Sequence, residues 1–360
     1  MSIPRLVSDV IKDLEPFFEV TFFSFLYDYQ DSLIKTKPVS LKIEWNDKFK
    51  KKFVNTVLQK IKIKDAFLKR KTIHSYLKKQ KEFFDTIIVL GLDDVDFLRT
   101  CFPAAKIIYW IHGISAIYKK EYLQQINKID FLWSPTVAVY KKIVNELHPV
   151  VFTAEFQLFP NWADPCFSVY NENLITELRH KHQINKEEKV FIFCGGNIKL
   201  KGSFILQKAF RRFSNNAGEK IVVFIAGEPV KGEELITEHV RFVYPGLIPP
   251  ETLAAYYQAS AFGLFPSLGG YEHAPLTLIE MIACNVLPVA ADVGGIKEML
   301  GADYPMLVDA PHSVDEWVSK IQQLLAMDLQ NRNALISFLR NKMQQYSRKD
   351  TVKIMNSIIF

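Results

Sequence analysis

Short runs of β-branched and aromatic residues alternate along this chain with stretches whose apolar positions recur at helical spacing. The first series of runs is D-T-I-I-V-L-G from Asp85, K-I-I-Y-W-I-H-G from Lys106, D-F-L-W-S-P from Asp130 and P-V-V-F-T-A from Pro149. Helical patterns separate them, among them Y-K-K-E-Y-L-Q-Q-I from Tyr118 and T-V-A-V-Y-K-K-I-V from Thr136. A polar segment from Tyr170, Y-N-E-N-L-I-T-E-L-R-H-K-H-Q-I-N-K-E-E, reads as a linker running into a helix. A second, cleaner series then begins: K-V-F-I-F-C-G-G-N from Lys189, K-I-V-V-F-I-A-G-E from Lys220, V-R-F-V-Y-P-G from Val240, A-F-G-L-F-P-S from Ala261 and V-L-P-V-A-A-D from Val286. Before Asp85 the pattern is less regular, with a helix-like S-D-V-I-K-D-L-E-P-F from Ser8 and a strand-like E-V-T-F-F-S-F from Glu19.

Apolar strands alternating with helices predict parallel sheets covered on both faces. Two such series joined by a polar segment predict an α/β protein of two Rossmann-like domains facing across a cleft, with the first over residues 1–168 and the second over 169–342. In open α/β sheets ligands bind beyond the carboxyl ends of the strands. The turns that follow the strands are therefore the places to look for chemistry.

Composition narrows the field. The 360 residues suffice for two cores, and nearly half are hydrophobic. No apolar run is long enough to span a bilayer, and M-S-I-P-R-L-V-S-D-V lacks a signal peptide's apolar core, so a cytoplasmic protein is expected. Cys101, Cys166, Cys194 and Cys284 form no C-x-x-C pair and the eight histidines form no ligand cluster, so neither a disulfide framework nor a bound metal is expected. The net charge of +6 is concentrated: thirteen Lys or Arg lie from Lys48 to Lys81 against Asp65 alone, interleaved with Phe49, Phe53, Val54, Ile61 and Phe67. That segment reads either as a solvated basic helix pair or as a patch for an anionic membrane surface or acceptor, which would make the protein peripheral on the membrane. No motif accompanies it that points to nucleic acid.

Four turns carry candidate residues. C-G-G-N-I-K-L-K-G-S supplies Gly195 and Gly196 for a tight turn, then Asn197, Lys199 and Lys201, a set suited to a diphosphate but matching neither a Walker loop nor G-x-G-x-x-G. A-G-E-P from Ala226 reads as a plain connection. Y-P-G-L-I-P-P from Tyr244, with Gly246, suits backbone and apolar contact with a flat base. The last, Y-E-H-A-P-L-T-L-I-E-M, begins a helix near Pro275 and puts Glu280 inside an otherwise apolar helix. A carboxylate in that position needs a partner. The amides of His273, Ala274, Leu276 and Thr277, beside Pro275, can receive a phosphate at the helix start. Glu280 can then accept hydrogen bonds from vicinal ribose hydroxyls, and Glu272 stands level with a sugar on the far phosphate.

The stretch from Phe265 to Glu298, F-P-S-L-G-G-Y-E-H-A-P-L-T-L-I-E-M-I-A-C-N-V-L-P-V-A-A-D-V-G-G-I-K-E, resembles the C-terminal signature of retaining GT-B-fold glycosyltransferases of family 4. Glu272 and Glu280 stand at its Glu-x7-Glu positions, and Gly294 to Glu298 match its G-G-I-x-E run. G-G-N-I-K-L-K-G is similar to the family's diphosphate loop, L-F-P-N-W-A-D-P-C-F to its I-P-N-G-V-D-x-x-x-F segment, and W-I-H-G puts His112 at the family's donor-facing His. Two departures stand out: the loop's Arg is absent, Gly196 or Asn197 taking its place, and no glycine precedes Gly91 where the family has a glycine-rich turn.

The resemblance implies the GT-B architecture, with a C-terminal helix over residues 343–360 crossing back to the first domain. It also implies transfer of a sugar from a nucleoside-diphosphate sugar to a hydroxyl of a glycan, lipid-linked or protein acceptor, with retention and without a metal or other cofactor. A front-face reaction is then expected, with Glu272, His112 and Lys201 at the reacting centre. Asn161 and Asp164 are expected to shape the linker. Two other functions fit the same residues: a sugar-nucleotide epimerase on this fold, and a donor-binding partner subunit without transferase activity.

Overall fold

The computed structural model describes residues 2–14, 23–24, 39–40, 74, 77, 84–92, 94–112, 125–148, 151–195, 201–213, 219–227, 231–269 and 272–359. The basic segment from Lys48 to Lys81, His74 and Leu77 apart, lies outside them, as do Gly196, Asn197 and Lys199.

Helix α1 (Ser2–Leu14) opens the chain, followed by a two-residue parallel pair, β1 (Phe23–Ser24) and β2 (Val39–Ser40). The first domain's sheet is wholly parallel in the order β3 (Thr86–Val89), β4 (Lys106–Trp110), β5 (Phe131–Ser134), β6 (Glu155–Leu158). Helices α2 (Val95–Cys101) and α3 (Val137–Leu147) connect its strands. The last strand lies a few residues later than P-V-V-F-T-A predicts. Val151 is 75% exposed and Phe152 packs edge-on against Tyr140 of α3, while E-F-Q-L makes the ladder to β5.

Side-chain alternation along β4 divides the core. Ile107 and Tyr109 face a small cluster with Leu132, Val139 and Ile143. Ile108 and Trp110 face the large core that runs on into the second domain, where Trp133 stacks on Phe159 at 4.2 Å between ring centroids. The period of two thus lets one strand serve two layers.

Helix α4 (Glu172–Lys181), capped by the Asn171 side chain accepting from the Leu174 amide at 3.1 Å, leads into the second domain. Its seven-stranded sheet runs in the order β13 (Leu307–Val308), β12 (Leu287–Ala291), β11 (Phe262–Phe265), β7 (Lys189–Cys194), β8 (Ile221–Ala226), β10 (Val240–Gly246), β9 (Lys231–Leu235). All pairs are parallel except β9 on β10. The polar K-G-E-E-L of β9 gives no hydrophobic alternation and went unpredicted; a polar edge strand hides its bare edge from further pairing. Helices α5 (Ser203–Phe213), α6 (Pro250–Gln258), α7 (Leu276–Ala283), α8 (Ile296–Leu300), α9 (Val314–Ala326) and α10 (Leu329–Met343) cover the two faces. Asn285, at φ 61°, ends α7 in the left-handed conformation that Asn tolerates better than most residues.

Helix α11 (Arg348–Ile359) returns to the N-terminal helix. Arg348 donates to both Asp13 oxygens, at 2.9 and 2.6 Å, and sits 3.5 Å from Asp9. Asp9 also accepts from the Trp162 indole at 2.9 Å, so α1, the interdomain segment and α11 are tied together.

Candidate active site

In the second sheet β7 is the first strand, and successive strands run outward from it on both sides. The crossover between β7 and β11 is therefore the topological switch point, where the carboxyl ends of adjacent strands part and leave a crevice. The cleft found there, of about 450 Å³, is bounded by both domains and falls in the size range of small-molecule sites.

Its floor is set by glycines. Gly202 has φ 73°, and a Cβ there would lie 1.9 Å from the Pro266 carbonyl oxygen, so only glycine lets this turn rest on the end of β11. The contact brings Lys201 over the Phe265 ring, with Nζ 2.6 Å from Glu272 Oε1. The same oxygen accepts from Ser267 Oγ at 2.7 Å. Behind Glu272 stands the G-G-I-K-E run. The Gly295 amide donates to the Glu272 carbonyl at 2.8 Å, and a Cβ on Gly294 (φ 60°) would meet that carbonyl oxygen at 1.8 Å. Gly295 in turn lies against the His273 carbonyl and the Thr136 side chain. Three residues on, both Glu298 carboxylate oxygens accept from α3, from the Val137 amide at 2.8 Å and the Ala138 amide at 2.7 Å. An acidic group at a helix start satisfies amides that have no partner within the helix. The motif therefore supports the Glu272 loop and joins the two domains.

Helix α7 starts at the cleft without a side-chain cap. Pro275, Leu276 and Thr277 line the cleft, with His273 and Ala274 before them and Glu280 after. Glu280 is 8% exposed, and among the described residues no cation lies at salt-bridge distance from it. Burial pushes its carboxyl up to about 7, with Arg5 and the Tyr257 hydroxyl pulling the other way. This helix thus presents a clamped carboxylate just before its start and a desolvated one a turn and a half in.

His112 follows β4 and meets the ring of Trp110 at 4.4 Å; burial lowers its pKa to about 4. His273, 4% exposed, is lowered to about 3 by burial, with smaller contributions from the fields of His112 and Lys142. Neither imidazole carries a charge near neutral pH.

Of the predicted site residues, His112, Gly195, Lys201, Glu272, His273, Ala274, Pro275, Leu276, Thr277 and Glu280 line one cleft. Gly246 does not. It closes β10 at φ 84° and its carbonyl accepts the Gly227 amide, so Leu247 and Ile248, the next two residues, line the cleft instead. Ala226 and Gly227, from the turn read as a plain connection, also line it. Asn161 does more than shape the linker: it lines the cleft, and its Nδ2 donates to the Ala274 carbonyl at 2.7 Å. Asp164 keeps the expected structural part, accepting from the Cys166 amide at 3.0 Å and standing 3.7 Å from Arg5. Arg5, Leu6, Phe167 and Ser267 escaped the sequence reading. Ser267 lies in F-P-S-L-G-G and Phe167 in L-F-P-N-W-A-D-P-C-F, but nothing local marks Arg5, which reaches the cleft because α1 docks on the interdomain segment, its guanidinium donating to the Trp162 carbonyl at 2.6 Å.

Comparison with known proteins bears on this arrangement. The chain is 28% identical over 186 residues to the D-inositol 3-phosphate glycosyltransferase of Jonesia denitrificans, a match covering 48% of this chain and 43% of that one. It is 24% identical over 138 residues to the putative teichuronic acid biosynthesis glycosyltransferase TuaC of Bacillus subtilis, covering 38% and 33%. The chain thus matches less than half the length of either curated relative. In fold it is similar to sucrose-phosphate synthase from Thermosynechococcus elongatus (TM-score 0.73, 16% identity, 98% of this chain and 92% of that one). It is also similar to Anabaena HepE in complex with UDP (TM-score 0.69, 13% identity, 99% and 95%). The architecture is that of the GT-B glycosyltransferases, and within it residues 175–350 match the family of glycosyl transferases group 1.

Proposed function

We propose that this protein is a retaining glycosyltransferase that takes a sugar from a nucleoside-diphosphate donor and passes it to a hydroxyl of a glycan, lipid-linked or protein acceptor. The observation that carries the reading is Glu280: a carboxylate desolvated in a cleft, with the Tyr257 hydroxyl beside it but no cation at salt-bridge distance among the described residues, gains from the further donors a ligand can supply. Vicinal ribose hydroxyls are such donors. The matched family, the two curated relatives named as glycosyltransferases and the UDP-bound neighbour support the same assignment.

In this reading the diphosphate meets the start of α7, where amides and the helix dipole favour an anion, together with Lys201. A diphosphate competes with Glu272 for the Lys201 ammonium, and Glu272, so released, faces the sugar. Charge that builds on the leaving group is stabilised by groups already in position. No metal is required, because Lys201 and the amides carry that charge. The acceptor hydroxyl loses its proton to the departing phosphate on the same face, which gives retention. Gly196, Asn197 and Lys199 are assigned to the diphosphate as well.

The test is calorimetric titration with UDP, GDP, ADP and CMP, followed by donor turnover in EDTA with the nucleotide that binds. Tight binding of one nucleoside diphosphate and EDTA-resistant transfer are expected. Binding of none refutes the reading, and turnover abolished by EDTA and restored by a divalent cation refutes its metal-free form. Among the described residues no helix is long and apolar enough to cross a membrane. We assign the segment from Lys48 to Lys81 to an anionic membrane surface at the cytoplasmic face; co-sedimentation at low salt showing no preference for anionic vesicles removes that part.

A further inference from the structure

Arg5 and Glu280 line the same cleft although they stand near opposite ends of the sequence. Helix α1 carries Arg5 there. Its Leu6, Val10 and Leu14, spaced along one helical face, are buried in the same core as Trp110, Trp133, Phe159 and Trp162. Its polar side is held as well: Asp9 accepts from the Trp162 indole at 2.9 Å, and Arg348 of α11 donates to both oxygens of Asp13. Docked in this way, the helix turns Arg5 and Leu6 into part of the cleft lining.

The guanidinium is held without a close counterion. Nη2 donates to the Trp162 carbonyl at 2.6 Å, and Nη1 stands 3.7 Å from Asp164, beyond hydrogen-bond reach. Nε is buried and has no hydrogen-bond partner. A buried donor without a partner is destabilising, so an apolar side chain of similar length would suit the packing better. What such a side chain lacks is the positive charge. Burial pushes the Glu280 carboxyl up to about 7, and the field of Arg5 is the largest influence drawing it back. Among the described residues the other groups facing Glu280 are Asp164, whose charge pushes it up, and Tyr257 of α6, whose hydroxyl draws it down. Cys194 at the end of β7 and Cys284 after α7 also face it, both uncharged because burial pushes them up to about 12. Lys201 and Glu272, elsewhere in the cleft, are paired with each other at 2.6 Å.

Resting on the reading of the cleft as a nucleoside-diphosphate site in which Glu280 receives the ribose hydroxyls, we propose that Arg5 is a positioning residue: delivered by α1, it is the counter-charge that keeps Glu280 in its accepting form, and Asp164 weakens that hold. Arg5 acts through Glu280 and not on the nucleotide. Affinity at neutral pH therefore depends on the docking of α1.

The experiment is calorimetric titration of UDP, GDP and ADP at pH 6, 7 and 9 against wild type, Arg5→Met, Arg5→Lys, Asp164→Asn and Glu280→Gln, together with Arg5→Met in the Glu280→Gln background. A guanidinium keeps its charge throughout that range, and the nucleotide's own phosphate titrates alike in every arm. A neighbouring charge changes the proton affinity of a buried carboxyl by about tenfold. Arg5→Met should therefore bind nucleotide about fivefold more weakly than wild type at pH 7 and almost equally at pH 9. Arg5→Lys should recover most of the affinity at pH 7. Asp164→Asn should bind about twofold more tightly at pH 6, since its side-chain oxygen can still accept from the Cys166 amide and only the charge is gone. In the Glu280→Gln background Arg5→Met should lose its pH-dependent effect.

A loss in Arg5→Met that is the same at pH 7 and 9 overturns the proposal, because Arg5 then touches the nucleotide or only braces α1. Should Arg5→Met not fold, Asp164→Asn decides: unchanged or weaker binding at pH 6 overturns the proposal as well. If no nucleoside diphosphate binds wild type, or Glu280→Gln keeps the wild-type pH profile, the donor-site reading fails and this inference with it. If that reading stands and Arg5→Met keeps the wild-type pH profile, only the inference fails.

Discussion

Replacing Glu280 by Gln tests whether a carboxylate has been kept in the cleft at the expense of stability. Burial raises its pKa from 4.5 to about 7, a difference on the order of 3 kcal/mol between the two protonation states. At 8% exposure, solvent screening takes little from that figure. A carboxyl whose folded pKa lies above its unfolded one stabilises the fold fully below pH 4.5, and that contribution is lost as pH rises to about 7. Glu280→Gln should therefore melt several degrees above wild type at pH 8 and show no gain near pH 4.5. Ligand binding should move the other way. About nine in ten Glu280 carboxyls hold their proton at pH 6 and about one in ten at pH 8, so donation from ribose hydroxyls to the carboxylate makes nucleotide binding about tenfold weaker at pH 6. The nucleotide's terminal phosphate titrates in the same window, with a pKa of about 6, and Glu280→Gln, titrated in parallel, subtracts that contribution. The assay is calorimetry from pH 6 to 8 in buffers of different ionisation enthalpy, which also counts protons released. Identical pH slopes in wild type and variant, or no thermal gain at pH 8, would refute the reasoning.

Lys201→Ala should weaken nucleoside diphosphate binding about tenfold to a hundredfold, with Lys201→Arg restoring part of it, as read by the same titration; its ammonium stands 2.6 Å from Glu272 at the cleft floor. In Gly294→Ala the new Cβ would meet the Glu272 carbonyl at 1.8 Å with the backbone at φ 60°, so a loss above about 2 kcal/mol is expected in denaturant unfolding. Gly91→Ala, with nothing within 4 Å and no positive φ, is the control and should stay within about 0.5 kcal/mol. Glu298→Ala removes the acceptor for the Val137 and Ala138 amides across the domains; it should cost about 1 kcal/mol and increase the radius of gyration by small-angle scattering, and an unchanged radius would assign Glu298 to α3 alone.

What could be read from the chain itself is what depends on residues close together in it. The parallel strands of the two sheets follow from apolar runs such as K-V-F-I-F-C and K-I-V-V-F-I-A, since a strand buried on both faces has no polar alternation. Glu280 was legible because a lone carboxylate interrupts an apolar helix. P-V-V-F-T-A misled because Val151 is exposed and Phe152 packs on a helix residue, Tyr140, and K-G-E-E-L was missed because an edge strand needs no buried face. Only tertiary structure placed Arg5 and Asn161 in the cleft with His112 and Glu280, and put Leu247 and Ile248 there rather than Gly246. The reason is physical: periodicity and turn chemistry act over a few residues, whereas the lining of a cleft between two sheets comes from segments far apart in the chain that only folding brings together.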